Sequence, residues 1–197
     1  MVTIDAMGCQ TAIAEQIIEQ GGDDVLSLKG NQETLASEVE EAFIHADARE
    51  YEGVDKEVLE TVERGHSRLE TRRYRTLGDL SGVPRSTLWE GMNMIGLVDT
   101  RREIDGQVSI DIRCFIGSTG ISATRFADAV LRHLALSRLK NDDTKVGLKN
   151  KRLRAACNED YLAKLLFEWP ENKEKTGVSG KPNIRKAICD CPDSLIP

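Results

Sequence analysis

Apolar positions change their period twice along this chain. Val2-Thr3-Ile4 is a short β-branched run ending at Asp5, with Gly8 just beyond, and reads as a strand entering a turn. From Thr11 to Gln20, Ala14, Ile17 and Ile18 recur at helical spacing until Gly21-Gly22 stops the helix. Val25-Leu26-Ser27-Leu28 predicts a second buried strand, closed by Lys29-Gly30. Residues 33–46 then put Leu35, Val39, Ala42 and Phe43 on one helical face, with Glu38, Glu40 and Glu41 mostly off it. Strand, helix, strand, helix in so short a span is the pattern of an α/β unit with a parallel sheet.

A period of two takes over next. Val58 to Val62 and Arg68 to Leu77 predict strands joined through Gly65, and Asn93 to Arg102 and Gln107 to Ile116 predict a hairpin about Asp105-Gly106. Their polar–apolar alternation is that of antiparallel strands with one wet face. Helical spacing returns over Ser122 to Lys140, through Phe126, Ala129, Val130, His133, Leu134 and Leu136. Two further helices are expected, from Val146 to Cys157 and from Glu159 to about Glu168. From Trp169 onward Pro, Gly, Lys and Ser dominate, which predicts a disordered tail. The organisation expected is an α/β part over 1–56, a β-rich insertion over 57–118, a helical part over 119–168 and the tail over 169–197.

Composition narrows the class. With 197 residues, 40% hydrophobic and 30% charged, the chain matches an ordinary folded protein and excludes a collagen-like or wholly disordered one. No run approaches the roughly 18 apolar residues of a membrane helix, and Met1 to Asp5 is no export signal, so a cytoplasmic protein without a membrane partner is expected. Five scattered cysteines, Cys9, Cys114, Cys157, Cys189 and Cys191, argue against a disulfide framework. The single close pair, Cys189-Asp190-Cys191, lacks zinc-site spacing and a neighbouring histidine. Net charge is −6, but residues 1–60 hold 15 acids and 3 bases while residues 61–197 hold 18 acids and 24 bases. A polyanion would meet the second part. An acidic helix face accounts equally well for the first.

Three clusters carry candidate chemistry. Asp5 ends a strand where α/β sheets place ligand groups, although strand-end aspartates also cap turns. Lys29, Asn31 and Gln32 follow the second strand; they fit phosphate contacts or the holding of a loop, or equally a turn with a helix N-cap from Asn31. Across Gly65 to Tyr74, Arg68, Glu70 and Arg72 fall on one strand face and Leu69, Thr71 and Arg73 on the other. Such a strip fits phosphate through arginine forks, or a wet strand with cross-strand charge pairs. His66 precedes the strip, His45 reads as a solvated helix-end residue, and His133 as a core histidine.

In this order the clusters resemble bacterial insertion-sequence transposases of the DDE type, in the group that includes the H-repeat-associated proteins. The residues that carry the resemblance are Val2 to Gln10 (VTIDAMGCQ), Leu28 to Gln32 (LKGNQ), His66 to Tyr74 (HSRLETRRY), and Lys149 to Ala156 (KNKRLRAA) followed by Tyr161-Leu162. It covers about residues 2–168. The resemblance implies an α/β fold with a ribonuclease-H-like core, a β-rich insertion and C-terminal helices. It also implies cleavage and rejoining of DNA phosphodiesters at element ends by two Mg²⁺ ions about 4 Å apart, held by an Asp-Asp-Glu triad. By position Asp5 matches the second Asp of that triad, as a catalytic residue and metal ligand. Lys29, Asn31, Gln32, His66, Arg68, Arg72, Arg73, Lys151 and Arg152 fall in the matched blocks as DNA-binding candidates.

The departures shape the expectation as much as the match. The family's first Asp lies on an earlier strand, and Ile4 follows Met1 by only three residues. The family's Glu follows an arginine by four residues, whereas Leu136 stands four after Arg132 and no Glu occurs between Glu103 and Glu159. The sequence therefore reads as an incomplete ribonuclease-H-like core in which Asp5 is a vestigial ligand and Mg²⁺ is not bound productively, since one carboxylate holds Mg²⁺ weakly. The expectation is a catalytically inactive fragment of a transposase-like protein, with a retained DNA-binding protein or an inhibitory partner of a full-length transposase as the alternative. Pairing with a full-length transposase, inhibition of it, or homo-oligomerisation are the partner alternatives.

Overall fold

The structure is a computed structural model of the chain, and it describes residues 1–65 and 68–167. His66, Cys189, Cys191 and the tail expected over 169–197 lie outside the described residues. Two compact units divide within one helix: the first takes Met1–Val130 and the second begins at Leu131.

In the first unit, β1 (Val2–Ile4) leads through a 3-10 turn to α1 (Thr11–Glu19). Next come β2 (Asp24–Ser27) and α2 (Glu33–Ala48). Four long strands follow: β3 (Lys56–Gly65), β4 (Arg68–Leu77), β5 (Met94–Ile104) and β6 (Gln107–Gly117). All six form one sheet in the order β1-β2-β6-β5-β4-β3. The parallel arrangement expected from the first fifty residues holds for β1 and β2 alone, because the other edge of β2 is filled by β6, antiparallel, through Val25–Gly117, Leu26–Ile116 and Ser27–Phe115. The sheet is therefore mixed. The β-rich stretch continues the sheet of the α/β part.

Each element follows from local rules. The β5–β6 turn places Asp105 at φ 50° and Gly106 at φ 80°, the positive pair a two-residue hairpin turn requires. In α2, Leu35, Val39, Phe43 and Ala46 are buried at helical spacing. They pack with Ala14 of α1 and with Leu26, Leu77, Ile95, Leu97, Cys114 and Ile116 of the sheet. On the opposite face, the first turns of α3 (Ala123–Asn141) press Phe126 edge-on against Tyr74 and Phe115, with centroids 6.2 and 5.2 Å away. Gly96 makes room for that ring, since a Cβ there would stand 2.6 Å from it.

The second unit comprises the rest of α3, α4 (Leu148–Cys157) and α5 (Glu159–Phe167). Leu139, Tyr161 and Leu165 form its small core, with Leu148 and Ala155 packed against it.

The β2–β6 pairing also relies on a glycine. A Cβ on Gly117 would lie 2.7 Å from the Asp24 carbonyl oxygen, a backbone atom that cannot rotate away. Gly117→Ala is expected to lower unfolding stability by about 1–3 kcal/mol, read by urea denaturation. An unchanged midpoint would show that the junction tolerates separation.

Candidate functional site

Asp5 stands at the carboxyl end of β1, exposed, with extended backbone angles. Its Oδ1 accepts a hydrogen bond from the Met7 amide at 3.1 Å, so it caps the 3-10 turn Ala6–Gly8. That turn is held from the neighbouring loop. Asn31 Nδ2 donates to the Ala6 carbonyl, and Gln32 Nε2 donates to the Cys9 carbonyl at 3.1 Å. Of the roles open to Asn31 and Gln32, the geometry displays loop holding, and the expected helix cap from Asn31 is not formed, because Gln32 stands at the N-cap of α2 and makes no side-chain cap bond there. The clamped turn presents Met7 to solvent at 85% exposure, and Lys29 is exposed on the adjoining loop.

The residues around Asp5 do not fit a two-metal centre. Among the described residues, no three His, Cys, Asp or Glu side chains gather as a metal site needs. The nearby buried carboxylate, Asp24, lies at the other end of β2, where its Oδ1 accepts from the Ser118 amide at 3.0 Å and hydroxyl at 2.7 Å. Burial raises its pKa above the ordinary carboxylate value, against those hydrogen bonds.

The arginine strip divides between two sheet faces, as its spacing predicts. On one face Glu70 is buried and gathers three guanidinium groups: Arg68 at 3.4 Å, Arg102 at 3.0 Å, and Arg72. Arg72 also pairs with Glu63 at 2.9 Å and is only 9% exposed. Burial works to raise the Glu70 pKa, but Arg72, Arg102 and Arg68 outweigh it and hold the group below its ordinary value. On the other face Arg75 is buried over the Phe43 ring, between Asp47 at 3.0 Å and Asp99 at 2.9 Å. Arg73 is exposed, in register with Glu60 and Asp99. Farther out, Arg101 pairs with Glu103 at 3.4 Å and Arg113 with Asp111 at 2.7 Å. Much of the strip's positive charge is thus already spent on its own carboxylates.

The second unit is organised around a residue that the sequence did not single out. Asp142 accepts hydrogen bonds from the Tyr161 hydroxyl at 2.7 Å and the Thr144 amide at 3.2 Å. Lys151 donates to its main-chain carbonyl and pairs with its carboxylate at 3.7 Å. One side chain at the end of α3 therefore ties down both α4 and α5. Lys151, a DNA-binding candidate by sequence, is 6% exposed and turned inward, whereas Arg152 beside it is exposed. Hydrogen bonds from Thr144 and Tyr161 hold the Asp142 pKa down to about 2. The sequence offered only an Asp-Asp pair after a helix as a signal for this role.

Comparison with known proteins locates relatives. The chain is 42% identical over 117 residues to "Uncharacterized protein in dhlA 3'region" of Xanthobacter autotrophicus, covering 59% of this chain and 38% of that protein. It is 28% identical to "Putative protein YbfL" and 27% identical to "H repeat-associated putative transposase YhhI", both of Escherichia coli K12, over 84% of this chain and 54% of each relative. The chain thus spans about half the length of these two relatives, and less of the first. The YhhI alignment runs over 212 positions but uses 84% of the 197 residues here, about 165, so about 47 positions of the relative have no counterpart. No family model matches the chain. No solved structure matches it either.

Two outcomes follow from the clamps. Asn31→Ala removes the donor to the Ala6 carbonyl and is expected to cost about 1 kcal/mol in a denaturation series; no loss would release Asn31 from the loop-holding role. The folded Asp142 pKa lies below the ordinary 3.8, so its stabilisation is complete above about pH 4 and lost as the pH falls toward 2. Asp142→Asn is expected to lower hydrogen-exchange protection of residues 148–167 at pH 7 and to remove that acid sensitivity. Equal protection in variant and parent would place the tie elsewhere.

Proposed function

We propose that this chain is a transposase-like protein that binds DNA without cutting it, built on an incomplete ribonuclease-H-like core. The observation that carries the transposase-like reading is the alignment over 84% of the chain with the relative named "H repeat-associated putative transposase YhhI". The core reading is supported by a parallel strand pair ending at Asp5, helices on both faces of the sheet, and an antiparallel extension beyond β2. Loss of the catalytic centre is supported by the donor set. Asp5 caps its own turn, and among the described residues no three His, Cys, Asp or Glu side chains gather as a metal site needs. About 47 positions of that relative within the aligned stretch have no counterpart here, which supports a shortened core. Two-metal phosphodiester chemistry needs clustered carboxylates to hold both ions, and a lone aspartate leaves Mg²⁺ its water shell.

A second reading, a partner or inhibitor of an intact transposase, is favoured by one feature. Among the described residues β1 has a strand neighbour on one side alone, so its other edge offers unpaired backbone groups to an added strand.

Incubation with supercoiled plasmid and Mg²⁺ or Mn²⁺ is expected to leave the plasmid intact, while a gel shift detects binding that weakens steeply with salt. Nicking that is abolished by Asp5→Ala would overturn the inactive assignment. Absence of any shift at low salt would sink the DNA-binding one.

A further inference from the structure

The charge imbalance that the sequence places after residue 60 is not shared evenly by the two units. Residues 61–130, which include the arginine strip, hold 9 acids and 10 bases, close to neutrality. Residues 131–167 hold 4 acids and 9 bases. The strip's arginines face Glu63, Glu70 and Asp99 at ion-pair distance or in strand register, and beside them Arg101 pairs with Glu103 and Arg113 with Asp111. A polyanion approaching them would have to displace those carboxylates and would meet little net charge.

The second unit is different. From Thr144 to Cys157 there are five bases, Lys145, Lys149, Lys151, Arg152 and Arg154, and no acid. Two of the five are engaged within the unit: Lys151 is buried and bound to Asp142, and the exposed Arg154 lays its guanidinium over the Tyr161 ring at 4.9 Å. These two fix α4 to its unit. Lys145, Lys149 and Arg152 are exposed, and none of the three has an acidic partner among the described residues. Lys149 and Arg152, three residues apart on α4, share one helical face. Asp142, the best-placed acid to neutralise this segment, is already occupied by Lys151 and Lys164.

We infer that the outer face of α4, with Lys145, Lys149 and Arg152, is the surface that holds the DNA phosphate backbone. This inference rests on the DNA-binding reading above and moves its centre from the β4 arginines to the second unit. The occupant is duplex DNA because residues 144–157 offer the exposed cations Lys145, Lys149 and Arg152 and carry no acid, which suits a regularly spaced polyanion. It assigns Lys151 to positioning: it anchors the helix that carries the contacts.

The experiment is fluorescence anisotropy of a labelled 20-base-pair duplex titrated with the full chain at several salt concentrations. Each bound phosphate contributes about −0.9 to the slope of log affinity against log salt. The triple variant Lys145→Gln/Lys149→Gln/Arg152→Gln, with an unchanged circular dichroism spectrum, is expected to lose about 2–3 units of that slope. The control Arg101→Gln/Arg113→Gln is expected to keep the parental slope. If the triple variant keeps the slope, or the control loses it, the inference fails while DNA binding stands. If the parent binds no duplex even at low salt, both fail. Binding to phosphatidylserine vesicles in place of duplex would also overturn it.

Discussion

The pairing of β2 with β6 is the constraint on which the first unit depends. Three residue pairs, Val25–Gly117, Leu26–Ile116 and Ser27–Phe115, join the parallel pair to the antiparallel extension. Around them Asp24 and Ser118 exchange backbone and side-chain hydrogen bonds, and the Leu28 amide donates to the Cys114 carbonyl at 2.9 Å. Without that pairing, β1 and β2 would be two short strands, too few to hold a sheet in water. With it, Leu26, Ile95, Leu97 and Ile116 share one face, and α1 and α2 have a continuous surface to cover. Burial of Asp24 is tolerated because Ser118 satisfies it.

Electrostatics in this molecule serve assembly before they serve binding. Buried Glu70 gathers Arg68, Arg72 and Arg102; buried Arg75 is held by Asp47 and Asp99; Asp142 is held by Lys151 and Tyr161. Burying any one of these charges alone would be costly, so each position demands partners. Of the charged residues singled out for DNA from the sequence, Lys29, Arg73 and Arg152 are the ones left exposed. A count of arginines along β4 overstates what that strand offers a phosphate.

The turn after β1 shows the same economy. Asp5 caps it, Asn31 and Gln32 hold it, and Gly8 lies against Ile4, where a Cβ would come within 2.4 Å of Cγ2. Residues that resemble a catalytic block in a transposase are here explained by loop architecture. The resemblance and the architecture are compatible, since a metal ligand also needs a fixed loop beneath it.

The sequence by itself determined the elements: nearly every strand and helix, the Asp105-Gly106 turn and the buried face of α2 lie where local spacing predicts. Those features depend on residues three or four apart on a helix, or two apart on a strand, and are therefore written locally. Tertiary structure alone decided which strand lies beside β2 and which charges are left unpaired. A parallel neighbour and an antiparallel one bury the same Val25 and Leu26, so periodicity is silent between them. An arginine facing a carboxylate across a strand is spelled like one facing solvent. Lys151 and Arg152 are adjacent in sequence, yet one is locked to Asp142 and the other is exposed, because the packing of α4 decides which of its sides is covered.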